Sequence, residues 1–224
     1  MDFNRLYLNN CFLCSVDSAI ICLECFDKYI RRTNPQKCHV CGKVVYSGLL
    51  HKECKDYTYL DGVVYLSEYS ELIRELIFLG KYSGSYIIFK ELAEYLITCR
   101  SVEFNADKAL ITSVPLHNSR FLERGFNQAE IFGKHVGKLI KIPYLNLLSR
   151  KRKSKKQSNL DKEERFSNIA NLFEVRMKSS LLNSFERIYI CDDIYTTGRT
   201  LGECAKALRE VYQGEIIGVV VAKV

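Results

Sequence analysis

The sequence predicts an α/β protein with a mostly parallel sheet, preceded by a small cysteine-rich module. Three observations carry this expectation. Seven of the ten cysteines lie before residue 55, most of them in C-x2-C steps. From about Tyr57 that pattern stops, and apolar strand-like runs begin to alternate with helical periods, the signature of a sheet covered on both faces. The clearest strand-to-helix junction, "YICDDIYTTGRT" at 189–200, places two aspartates where such sheets bind ligands.

The N-terminal module comes first. Its ligand types fall as C-x2-C-x7-C-x2-C, a twelve-residue spacer, then C-x2-C-x9-H-x2-C. A C-x2-C turn points two thiolates at one cation, and two such turns complete a tetrahedron around zinc. Four turns imply two ions. The simplest assignment gives Cys11, Cys14, Cys22 and Cys25 to one and Cys38, Cys41, His51 and Cys54 to the other; spacing leaves an interleaved arrangement open. Free buried thiols or disulfides are the alternative, and four equal spacings speak against both. His39 is left out of the ligand set, because side chains inside such a turn usually face solvent. With four protein ligands each, both ions are expected to be structural. A segment of about fifty residues has too little apolar surface to fold unaided, so the metal is expected to supply its folding free energy. Residues 1–57 therefore read as a double zinc-ribbon domain.

The second part, 58–224, is read element by element. "YLDGVVYLSEY" is rich in β-branched and aromatic residues and predicts a strand. Ser70 is placed to cap a helix carrying Leu72, Ile73, Leu76 and Ile77 at helical spacing, and "YIIFKELAEYLITC" predicts a second helix. "ALITSVPL" reads as a buried strand entering a loop, and "FNQAEIFGKHVGKLI" resumes a helical period. The chain then runs strand "RIYIC", loop, helix "TLGECAKALREVY" and strand "EIIGVVVA". In that last helix Leu201, Cys204, Ala205, Leu208 and Tyr212 share one face, while Thr200 and Glu203 have capping-box spacing.

At the junction, Thr196 to Thr200 form a small-residue turn able to aim backbone N–H groups at one anion at a helix N-terminus. Gly198 permits a close approach that a β-carbon blocks. Asp192 and Asp193 repel phosphate, so they suit vicinal hydroxyls or magnesium. Phosphate beside a diol describes a ribose 5-phosphate. The alternative is an aspartate-capped turn without a ligand.

Charge and hydropathy bound the rest. A net charge of +7 is modest, but "RKRKSKK" at 150–156 holds six positive charges. It suits DNA through counterion release, and equally a solvated loop or a basic lid over a substrate; it has no interleaved aromatic residue for stacking. No run approaches the roughly 18 to 20 apolar residues that span a bilayer. "MDFNRLYLNN" lacks the features of a signal peptide, so a soluble cytoplasmic protein is expected.

These residues also carry a resemblance. "IYICDDIYTTGRT" resembles the phosphoribosyl pyrophosphate loop of type I phosphoribosyltransferases. "VPLHNSRFLERGFNQAE", followed by Gln157, Leu160, Arg165, Asn168 and Phe173, is similar to the ComF (ComFC) competence proteins, which also carry an N-terminal zinc ribbon. The resemblance covers nearly the whole chain, with one departure: His51 stands where the ribbon pattern has cysteine. It implies a type I phosphoribosyltransferase-like fold over 58–224 and a role in natural transformation beside a ComFA-type helicase, handling single-stranded DNA. It implies that Asp192 and Asp193 hold the ribose hydroxyls and magnesium, and that Thr196, Thr197, Gly198, Arg199 and Thr200 hold the 5-phosphate. The pyrophosphate loop then follows "ITSVPL", near Pro115, Leu116 and His117. Arg120 and Arg124 are candidate diphosphate contacts or solvated surface residues. Lys81 in "LGKYSGSY" resembles a "KY.GD" stretch, with Ser85 in place of its acid. His117 is an acid or base, or a structural hydrogen-bonder. The transfer implied is displacement of pyrophosphate from the anomeric carbon, either in a transformation accessory protein or in a metabolic phosphoribosyltransferase with a base as acceptor.

Overall fold

Strands whose residues are buried along almost their whole length demand cover on both faces, and here both are covered. The computed structural model describes residues 10–16, 20–30, 35–45, 48–82, 85–104, 108–151 and 172–224. Among them, β1 (Gly62–Glu68), β2 (Ala109–Ser113), β5 (Arg187–Tyr195) and β6 (Glu215–Lys223) form one sheet in the order β1-β6-β5-β2. Every pairing is parallel, as expected.

One face carries α2 (Glu71–Tyr82), α3 (Ile87–Arg100) and α5 (Gln128–Ile140). Their Ile73, Leu76, Ile77, Phe89, Leu92, Phe132 and Val136 share a core with Val64, Leu66, Tyr189, Cys191 and Val219 of the sheet. The other face carries α7 (Arg199–Arg209) and an antiparallel hairpin of β3 (Leu148–Arg150) with β4 (Phe173–Val175). There Leu148, Phe173, Leu201, Cys204 and Leu208 cover Leu110, Ile188, Ile190, Ile216 and Val220. Strand residues of even and odd number divide between the two cores, as a pleat requires.

Short helices complete the chain: α1 (Leu23–Tyr29), α4 (Asn118–Arg124) and α6 (Ser179–Leu182). Ser70 caps α2 as expected, its Oγ accepting from the Ile73 N–H at 3.3 Å. Three expectations need correction. "ALITSVPL" is strand only to Ser113. The loop expected directly after "RIYIC" begins four residues later, because β5 keeps its pairing with β6 through Tyr195, so both aspartates are strand residues. The Thr200–Glu203 capping box is not made: Gly198, left-handed at φ 72°, starts the helix at Arg199 and leaves Thr200 inside the first turn.

The cysteine-rich segment is anchored on the α/β part at several places. Ile20, Ile21, Phe26 and Ile30 join the core under α3, where Phe26 stacks on Tyr95 with ring centroids 4.1 Å apart. The Ile20 N–H donates to the Glu91 carboxylate at 3.0 Å and 3.2 Å. Further along, Gln36 exchanges two hydrogen bonds with the Tyr65 backbone, at 2.8 Å and 3.1 Å, and the Lys37 N–H donates to the Tyr65 hydroxyl at 2.8 Å.

Candidate functional site

The ligand atoms of Cys11, Cys14, Cys22 and Cys25 lie within 4.8 Å of one another, and so do those of Cys38, Cys41, His51 and Cys54. The geometry is thus the sequential assignment. Cys14 Sγ and Cys22 Sγ are 3.6 Å apart, and Cys41 Sγ and His51 Nδ1 3.4 Å. Zinc–sulfur bonds of about 2.3 Å make a tetrahedral edge of roughly 3.8 Å, so both sets fit zinc. His51 Nε2 donates to the Val44 carbonyl at 3.1 Å, which leaves Nδ1 as the metal-facing nitrogen. Burial opposes ionisation of Cys38, but N–H groups of Cys41 and Val40 and the His51 side chain bring its thiol down to about 6, toward the thiolate that a metal needs.

His39, outside the cluster as expected, does not face solvent. Its ring meets Tyr195 edge-on at 5.5 Å, Nε2 lies 3.4 Å from Thr58 Oγ1, and burial, with the Lys223 charge, pushes it down to about 4. Sequence reasoning missed this contact because nothing local pairs residue 39 with residue 195. Between this second knuckle and the loop after β5 lies a cleft of about 540 Å³, lined by His39, Tyr57, Tyr59, Thr197, Gly198 and Arg199 among others.

The central site forms at the carboxyl end of β2, whose pairing with β5 stops at Ser113 and Cys191, while β5 runs on through Asp192 and Asp193 to Tyr195. The Val114 N–H donates to the Cys191 carbonyl at 2.9 Å, so the loop after β2, with Pro115 and Leu116, runs beside the aspartates. Asp193 points toward the α2 and α5 face. Its Oδ2 takes Lys81 Nζ at 2.5 Å and Gln128 Nε2 at 3.0 Å. Asp192, next along the pleat, is pushed up to about 8 by burial and by the neighbouring Asp193 charge, while Lys81 and Arg120 pull the other way.

Helix α5 makes the Gln128 contact possible. Gly133 lies against Cys191, where a β-carbon would stand 3.1 Å from Sγ, so the helix packs close on β5. Asn127 caps it, accepting from the Ala129 N–H at 3.1 Å, and its Nδ2 donates to the Val114 carbonyl at 3.0 Å. Arg124 Nη1 donates to Gln128 Oε1 at 3.3 Å and Nη2 to the Tyr82 hydroxyl at 2.9 Å. Of the two candidate diphosphate contacts, Arg124 is therefore turned to Gln128 and Tyr82, while exposed Arg120 places its charge within range of Asp192. His117 caps α4, its Nδ1 accepting from the Ser119 N–H at 3.2 Å, the structural role among its two readings.

Thr196, Thr197 and Arg199 are exposed at the mouth, and Thr197 Oγ1 lies 3.5 Å from the Arg199 N–H. Gly198 offers α7 no side-chain cap, so apart from the Arg199 N–H, which donates to Thr197 Oγ1, its first turn keeps N–H groups for an anion. Gly198 is doubly constrained: besides its positive φ, a β-carbon there would sit 2.1 Å from Tyr195 Oη. The close approach it permits is thus to Tyr195.

No family model matches the chain. Among curated proteins it is 30% identical to competence protein F of Haemophilus influenzae over 162 residues, 70% of each chain. The chain belongs to the ComF family. Competence proteins ComFC of Streptococcus pneumoniae and Bacillus subtilis are 28% and 24% identical, over 87% and 89% of this chain and 83% and 81% of their own. In this ComF-family chain "ERGFNQ" has a structural reading. Arg124, Asn127 and Gln128 tie the start of α5 to the loop after β2 and to Asp193, with left-handed Gly125 (φ 77°) ending α4 between them. Gln157, Leu160, Arg165 and Asn168, and 152–156 of the basic run, lie outside the described residues; Phe173 is buried at the start of β4 under the Arg150 guanidinium, 5.6 Å from its ring. Among the described residues, no helix is long and apolar enough to cross a membrane.

Proposed function

We propose that this chain is a cytoplasmic accessory protein of natural transformation that binds phosphoribosyl pyrophosphate with magnesium between β5 and α7. The observation that carries this reading is the pairing of Asp192 and Asp193 with the α7 N-terminus: hydroxyl and metal acceptors stand one loop away from phosphate donors. Asp193, Lys81 and Gln128 form one charge-balanced cluster, so a ligand bringing hydroxyls and magnesium takes over a carboxylate that Lys81 now neutralises, and Lys81 turns to the diphosphate. Successive strand side chains point to opposite faces, and magnesium is commonly held by one or two carboxylates plus ligand oxygens, so the donor set suits it. Thr196, Thr197, Gly198, Arg199 and Thr200 would take the 5-phosphate; Pro115, Leu116 and Arg120 would flank the diphosphate. The relatives' names support the transformation role. A ComFA-type helicase and single-stranded DNA are the proposed partners, and residues 1–57, with two structural zinc ions, the proposed docking domain.

Calorimetry with phosphoribosyl pyrophosphate and magnesium tests the site. Wild type is expected to bind and Asp193→Asn to lose at least tenfold; equal binding by both overturns the assignment. Unchanged transformation frequency after gene deletion, with normal helicase binding, overturns the role. The complete donor end favours one second reading, a metabolic phosphoribosyltransferase acting on a base. Pyrophosphate release only when a particular base is added decides for that reading.

A further inference from the structure

The outer rim of the Asp193 pit is built from aromatic rings with cations lying on their faces. Phe78 and Tyr82, one turn apart at the end of α2, have ring centroids 4.8 Å apart. The Arg124 guanidinium lies 4.8 Å over the Tyr82 ring. At the start of α3, Tyr86 meets Phe126 edge-on at 6.2 Å, and Lys90 Nζ stands 5.3 Å over the Tyr86 ring. These are not core residues: Phe78, Tyr82 and Tyr86 stay 60%, 52% and 48% exposed. Neither do they enclose a small molecule, since rings left half open bury too little of a free ligand.

Several acids of the same helices are turned elsewhere: Glu71 pairs with Arg74, Glu91 holds the Ile20 N–H, and Glu94 holds His135. Glu75 lies a turn before Phe78, and Glu123 beside Arg124. Exposed rings flanked by Arg124 and Lys90, on a chain of net charge +7, match the two needs of a single nucleic-acid strand, π-faces for bases and cations for phosphates. A duplex has its bases stacked internally and cannot use the rings.

We propose that Phe78, Tyr82, Tyr86, Arg124 and Lys90 form a stacking platform for single-stranded DNA along the rim of the Asp193 site. The inference rests on the transformation reading, which supplies the strand. Because every base offers a π-face, binding has little sequence preference. Through the Arg124–Gln128–Asp193 hydrogen bonds, a strand on the platform lies next to the sugar-phosphate site.

The test is fluorescence anisotropy of a labelled thymidine oligonucleotide on the zinc-loaded full chain. Phe78→Ala and Tyr86→Ala are expected each to weaken binding about tenfold, and the double variant about a hundredfold. Tyr86→Phe retains binding, and Tyr86→Leu, apolar without a ring, does not. Calorimetry with phosphoribosyl pyrophosphate and the melting temperature report whether the fold and the neighbouring site are intact in each variant. Equal strand binding by wild type and the double variant overturns the platform and leaves the transformation reading standing. No strand binding by wild type overturns both the platform and the single-strand part of that reading, while the calorimetry still judges the sugar-phosphate site.

Discussion

Replacing Gly198 by alanine tests how the loop between β5 and α7 is held. The residue sits at φ 72°, where a β-carbon costs about 1 kcal/mol. That carbon would also stand 2.1 Å from Tyr195 Oη, 2.4 Å from Cζ and 2.9 Å from Cε2. The Tyr195 ring is buried and lies edge-on to His39, so it does not withdraw without disturbing the second zinc knuckle. Overpacking of this kind costs about 1–3 kcal/mol. The two effects together predict a loss of about 2–4 kcal/mol in urea denaturation, and at least a tenfold loss of phosphoribosyl pyrophosphate affinity by calorimetry. Gly125 is the internal control: its φ is 77°, but a β-carbon there meets nothing within 4 Å. Gly125→Ala is expected to cost only the backbone contribution, about 1 kcal/mol. Adding Tyr195→Leu to Gly198→Ala should recover the steric share and leave the backbone share. Equal destabilisation by Gly125→Ala and Gly198→Ala would refute the argument that Tyr195 constrains this loop.

Three further outcomes are expected. Asp192 holds a proton in the folded protein up to about 8, whereas the unfolded chain releases it near 4; stability therefore falls as pH rises between those values, magnesium-dependent binding strengthens over the same window, and Asp192→Asn flattens the stability slope. A thiol-reactive titration with a colorimetric zinc indicator should release two ions per wild-type chain, one from His51→Ala and two from His51→Cys. Glu91→Ala strands the Ile20 N–H at a cost of about 1–3 kcal/mol and should speed zinc loss from the Cys11 cluster to a chelator, leaving the Cys38 cluster unchanged.

Much of this arrangement was legible locally. Equal C-x2-C spacings identify ligands because a tight turn can aim two sulfurs only at a common point. Helical and strand periods identified the four sheet strands and the long helices, because burial on one or two faces imposes those periods. Several short elements escaped. Helix α4 buries no residue and so leaves no periodic trace. Strand β4 is only three residues long and follows a highly charged segment; before that segment the expected strand is present as β3. The end of β5 carries no strand signal of its own, because aspartates disfavour strands, yet pairing with β6 satisfies the backbone groups through Tyr195.

By itself, the sequence determined the pairs of candidate metal ligands, the alternation of strand and helix, and the two aspartates followed by a threonine-rich turn, since each depends on residues within a turn or two of one another. Only the tertiary structure decided that Lys81 and Gln128 meet on Asp193, that His39 of a zinc knuckle braces Tyr195 beneath Gly198, and that α2, α3 and the start of α5 gather aromatic rings at one rim. Those contacts depend on the strand order β1-β6-β5-β2 and on how closely Gly133 lets α5 approach the sheet, and neither leaves a mark at any fixed spacing in the chain.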